Sequence, residues 1–177
     1  MKHGSLLMRR SECVIARNIA AAVALSLLAS SAMAQEEVKG APSAETLFHS
    51  KDPKLDRNKQ VAYRIERELL QAGHWEMAGQ YLTDRYIQHN PNAKSGLPGV
   101  VFFFTKVMKV QPKPIPKTLS TPVVAVVAEG DLVVVATRRE LKNPKDPSKT
   151  YTTTWFDMWR MKDGKADEHW DGAELPR

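Results

Sequence analysis

Residues 151–171, YTTTWFDMWRMKDGKADEHWD, hold most of the side chains in this chain that could do chemistry. Asp157, His169 and Asp171 are two carboxylates and an imidazole, the groups of general acid–base catalysis. Such a base needs a partly apolar pocket to work near neutral pH, and Trp155 and Trp159 alternate with Asp157 as candidate walls and ligand contacts. The stretch reads as two strands joined at Lys162-Asp163-Gly164-Lys165, and two registers are open. A two-residue Asp-Gly loop pairs Lys162 with Lys165 and sets Asp157 opposite Trp170, which divides the acids and the imidazole between faces. A three-residue loop with Gly164 left-handed pairs Met161 with Lys165, Asp157 with His169 and Trp155 with Asp171. The second is the expected geometry, because alternation then collects Trp155, Asp157, Trp159, His169 and Asp171 on one face. The competing reading is an exposed polar face carrying ordinary ion pairs.

A second group lies upstream in Tyr86-Ile87-Gln88-His89-Asn90-Pro91. His89 ends an extended segment, where a pocket rim is expected, and it is the other candidate acid–base group. Its alternative is a structural imidazole bonded to backbone. Tyr86 and Asn90 are candidate ligand contacts, and Asn90-Pro91 also reads as a turn.

The elements that must position these groups follow from patterning. Residues 35–50 are polar, rich in small residues and aperiodic, and read as a flexible lead-in. Asp52-Pro53 starts a helix, with Val61, Ile65, Leu69 and Ala72 at helical spacing and Gly73 as its stop. A short helix is expected over 74–81 and a third over 95–109, the latter apolar over much of its girth. The sheet is expected to begin near Asp84. Four prolines make 111–122 an extended connector. Residues 123–129 and 132–141 are strands meeting at Glu129-Gly130-Asp131, and 142–149 is expected to be a polar loop. Helices first and consecutive antiparallel strands afterwards give an α+β fold. The runs VVAVV and LVVVA need cover on both faces, helices on one and a second copy of the chain on the other, so a homodimer is expected.

Lys2, Arg9, Arg10 and Arg17 precede an uncharged run over 19–34 that ends in Ala32-Met33-Ala34, the pattern of a cleaved secretory signal. The rival, an uncleaved anchor, has too short an uncharged run for a full span. Cleavage after Ala34 leaves 143 of the 177 residues and removes Cys13, the single cysteine. A periplasmic or secreted protein without thiols follows, so cysteine nucleophiles and cysteine-held metals are excluded. Four basic residues and one acid leave with the signal, which lowers the net charge from +6 to +3. The remaining cations are scattered, and no nucleic-acid motif accompanies them. The chain has no phosphate-binding glycine loop, dinucleotide fingerprint, His-Glu-x-x-His or Gly-x-Ser-x-Gly. Any enzyme built on it is expected to work without cofactor or metal.

DMWRMKDGKADEHWD resembles the closing hairpin of the SnoaL-like polyketide cyclase group of the nuclear transport factor 2-like superfamily. DRYIQHNPNAKSGLPGVVFFF resembles the same group's Tyr-Ile-Gln-His-Asn-Pro segment and following helix. The resemblance spans roughly residues 53–172. It implies a cone: a curved, mostly antiparallel sheet with three N-terminal helices on its concave side and a small-molecule pocket within. It also implies intramolecular aldol chemistry, with Asp171 at the position of the acid–base aspartate. Asp157 stands where those cyclases place a histidine, so the usual pair is altered. Three readings stay open: a cyclase- or isomerase-type enzyme on a small carbonyl compound, a non-catalytic binder of a small apolar ligand, and a partner-binding module whose cone is filled by side chains.

Overall fold

The computed structural model describes residues 36–175, and the compact unit they form begins at Glu37. The expected signal at 19–34 and its cleavage point lie outside the described residues. Among those described, no helix is long and apolar enough to cross a membrane.

The lead-in is not the loose segment its composition suggests. A short helix, α1 (Ala44–Leu47), brings Phe48 into the core, fully buried against Tyr63. Upstream, Ala41 N–H donates to the Val123 carbonyl at 2.7 Å and Val38 N–H to Thr152 Oγ1 at 2.8 Å. One aromatic anchor and two edge hydrogen bonds therefore order a stretch with no periodicity to reveal it.

α2 (Pro53–Arg64) starts as expected: Asp52 accepts from the N–H groups of Lys54 and Leu55, with Pro53 at the first turn. It then widens into a π-helical run, Ile65–Gln71, marked by Ala72 N–H reaching back five residues to the Arg67 carbonyl. Gly73 (φ 77°) turns the chain out. A 3₁₀ turn (Trp75–Met77) leads into α3 (Ala78–Tyr81). α4 (Leu97–Phe102) also passes into a π run, Phe103–Val107.

Five strands follow the order β1-β5-β4-β3-β2 in one open, curved sheet. They are β1 (Leu82–Gln88), β2 (Val123–Glu129), β3 (Leu132–Asn143), β4 (Asp146–Lys162) and β5 (Lys165–Asp171). β1 runs parallel to β5, and the remaining pairs are antiparallel. The polar loop expected at 142–149 is a tight turn instead, because β3 and β4 run on to pair Asn143 with Asp146. Asn143 Oδ1 caps that turn by accepting from Lys145 N–H. Pro147 fits there because β5 pairs only with 157–162 of β4, which leaves no second neighbour to need its N–H. One face of the sheet packs Val123, Val133, Val135 and Trp159 against Ala62, Ile65 and Leu69 of the helices.

Candidate functional site

Helices and sheet do not close on each other. Between them lies a cavity of about 460 Å³ lined by residues of every strand except β2 and by both π runs. The cone is therefore not filled by side chains. The π runs turn Glu66, Leu69, Phe103 and Phe104 toward it, and Trp75 stacks flat on Phe104 at 3.7 Å to join the two helices.

The β4–β5 hairpin sets the polar end, by a register different from the expected one. The loop has two residues: Lys162 pairs with Lys165, and Asp163 and Gly164 both take positive φ (50° and 77°), as a type I′ turn requires. Alone this would divide the acids and imidazole between faces. A bulge corrects it: the ladder passes from Met161↔Ala166 to Arg160↔Glu168, which leaves Asp167 as the extra residue. Asp167 is buried, with Arg85 2.7 Å away and Thr83 Oγ1 donating to it at 2.8 Å. The Arg85 guanidinium holds its carboxyl below the usual carboxylate range. Loop and bulge each shift the alternation by one, so Asp157, Trp159, His169 and Asp171 still share the inner face. Their cross-strand partners change: Asp157 faces Asp171 and Trp159 faces His169.

Hydrogen bonds fix each group. His169 Nε2 lies 3.0 Å from Asp157 Oδ1, and its Nδ1 lies 2.8 Å from Gln88 Oε1. That Oε1 also accepts from Asn90 N–H, so the ring N–H at Nδ1 is the donor to it. The contact at Nε2 then holds a proton between ring and carboxylate, which cancels the charge of one of the two nearby acids. Asp171 is held purely as an acceptor: Oδ2 takes Asn90 Nδ2–H at 2.8 Å and Oδ1 takes Ala173 N–H at 2.9 Å. Tyr86 accepts from Trp159 Nε1–H at 3.1 Å, and burial raises its hydroxyl above the ordinary tyrosine range, so it keeps its proton. Trp159 is a buried wall; Trp155 sits half-buried beneath the Arg139 guanidinium, 4.3 Å from its ring.

Trp155, Asp157, Trp159, His169, Asp171, Tyr86 and Asn90 thus line one cavity. His89 does not. Gln88 pairs with His169 and points inward, so strand alternation turns His89 to the outer face. There it stacks on Trp170 at 4.9 Å and meets Glu168 at 2.8 Å. Gln88 and Glu66 are among the lining groups that escape the sequence reading. Gln88 is the inward neighbour that orients the imidazole. Glu66 is almost wholly buried with Oε1 unpartnered; burial first, and then the Asp157 charge, push its carboxyl up to about 8. Its signal is spacing: Ala62, Glu66 and Leu69 fall on one helical stripe.

Asp157, His169 and Asp171 each offer one ligand atom within 4.8 Å of the others, one imidazole nitrogen and two carboxylate oxygens, a donor set suited to a borderline divalent cation such as zinc. Gln88 would then fix the ring from its far nitrogen, but an ion at Nε2 would have to displace the Asp157–His169 hydrogen bond.

The SnoaL-like domain family matches residues 65–169, more than half of the chain, and the chain belongs to that family. No curated protein matches it. Solved structures similar in fold include a putative polyketide cyclase from Bacillus cereus ATCC 10987, 18% identical, covering 77% of this chain and 87% of that one (TM-score 0.49). Another putative polyketide cyclase, from Acidithiobacillus ferrooxidans, is 15% identical over 65% of this chain and 86% of its own (TM-score 0.47). TsrD from Streptomyces laurentii is 17% identical over 71% and 92% (TM-score 0.45).

Proposed function

We propose that this protein takes a small carbonyl compound into its cavity and moves a proton next to the carbonyl with its own side chains, as a cyclase- or isomerase-type catalyst. The observation that carries the reading is the division of labour at the polar end. Asp171 accepts two hydrogen bonds and carries the lone pairs of a base, while Asp157 and His169 already hold a proton between them. Asp171 removes the α-proton and becomes neutral while the electron pair moves to the carbonyl oxygen, Asn90 keeps the carboxylate aimed, and the proton held between Asp157 and His169 cancels the charge of Asp157. The indoles of Trp155 and Trp159 keep the site partly dry.

A specific test uses α-proton exchange of 1-tetralone, a flat aromatic ketone, followed by NMR in deuterated buffer. The wild-type protein should accelerate exchange, and Asp171→Asn should lower that acceleration at least about 10²-fold with the fold intact. Equal exchange by both proteins would contradict the role of Asp171.

One observation favours a binding protein instead. Both nitrogens of His169 are taken by protein partners, so the ring cannot reach a ligand without releasing one. On that reading the ketone binds and no exchange is accelerated.

The protein is further proposed to be exported, on the charge and Ala-x-Ala pattern before Gln35. Mass spectrometry from the producing cell should find an N-terminus at Gln35; full-length chain retained in the cytoplasm would refute it.

A further inference from the structure

Glu66 lines the same cavity but joins none of the hydrogen bonds that fix Asp157, His169 and Asp171. It is 4% exposed, and its Oε1 is sealed off without a partner. A carboxylate in that position would be buried with no donor on that oxygen, which strongly favours the neutral acid. The titratable or charged groups that face the cavity with it are Asp157, His169, Asp171, Tyr86, Arg138 and Arg139. Asp157 raises its proton affinity further, in keeping with a value of about 8. A neutral carboxyl has one O–H to donate; with Oε1 sealed off, Oε2 is the oxygen left to carry it, and no side-chain hydrogen bond of Glu66 is formed among the described residues. Leu69, Leu70, Phe103 and Phe104 line the cavity with it, so a hydrogen bond made there is poorly screened.

We propose that Glu66 donates a hydrogen bond to the carbonyl oxygen of a neutral ligand, and that the cavity therefore selects a flat ketone or aldehyde over a carboxylate of similar shape. The inference rests on the cavity being a ligand site, not on turnover. A carboxylate ligand beside Glu66 would add a second negative charge within reach of Asp157, and Arg138 is already paired with Glu37 and Glu140, whereas a carbonyl oxygen is the acceptor Glu66 lacks. If a proton leaves the α-carbon for Asp171, the electron pair moves to the carbonyl oxygen. The same O–H of Glu66 then stabilises that enolate, and no other reactant is needed.

Calorimetry and infrared spectroscopy with 1-tetralone, its hydrocarbon 1,2,3,4-tetrahydronaphthalene and the anion 1-naphthoate test this. The wild-type protein should bind 1-tetralone better than 1-naphthoate and lower its C=O stretch. Glu66→Leu should weaken 1-tetralone binding about tenfold and return the stretch towards its value in an apolar solvent. The same variant should leave the hydrocarbon's affinity unchanged, and Glu66→Gln, which keeps a neutral donor, should restore part of the loss. In the wild-type protein, 1-tetralone affinity should fall as pH rises through about 8 while that of the hydrocarbon holds. No measurable 1-tetralone binding, preference for 1-naphthoate, a stretch unmoved by Glu66→Leu, or a flat pH profile would each overturn the proposal. Loss of α-proton exchange with these binding results intact would fault the role of Asp171 alone. Exchange intact with these results absent would fault the role of Glu66 alone.

Discussion

Asp157 and Asp171 face each other across two strands, yet their surroundings give them different tasks. A shared proton on the Asp157–His169 contact removes one acid from service as a base; two donors on Asp171 leave the other in it. Glu66 supplies a third carboxyl in a third state. Because its folded proton affinity lies above the unfolded value of 4.5, its contribution to stability is complete below about pH 4.5 and is lost as pH rises through about 8. Urea denaturation of the wild-type protein should therefore show stability declining across that window, and Glu66→Gln should flatten the decline; parallel curves would contradict the assignment. The acids and imidazole of 155–171 were legible because residue type and two-residue alternation suffice to group them. Glu66 was not, since a glutamate beside an apolar helical stripe reads as solvated until the cavity opposite it is seen. His89 misled because a one-residue step along a strand reverses the face.

At the scale of elements, the closing hairpin shows how a face can be legible while the register is not. Asp163-Gly164 fixes a two-residue turn, but no local pattern announces that Asp167 bulges, since its partners Arg85 and Thr83 lie on a strand more than eighty residues earlier. Asp167→Ala removes the buried acceptor for Thr83 and Arg85 and should cost about 1–3 kcal/mol in denaturant unfolding. It should also weaken 1-tetralone binding, because the bulge keeps Asp171 on the inner face. A variant as stable as wild type would show that the turn and the ladder alone set the register. The start of α2 was readable from Asp52-Pro53, whereas the π runs were not: their apolar spacing continues a 3.6-residue pattern. Both runs line the cavity, as π segments at functional sites commonly do.

Across the whole molecule, the α+β order of elements and the family were readable from two sequence segments, but the state of assembly depends on a surface. On the outer face of the sheet, Val134, Ala136 and Met158 run between Val127 and Phe156, which are 61% and 55% exposed. A second copy packed there would cover them, and a homodimer is the proposed arrangement. Light scattering at micromolar concentration should report twice the protomer mass for the wild-type protein and a single mass for Phe156→Lys; a wild-type monomer would reject it. For the inner face, the decisive measurement is a crystal structure of the 1-tetralone complex. The ketone oxygen should lie within hydrogen-bonding distance of Glu66 and the α-carbon roughly 3–3.5 Å from an Asp171 oxygen. A ligand bound with its oxygen away from Glu66 and its α-carbon out of reach of Asp171, or bound outside the cavity, would contradict this placement.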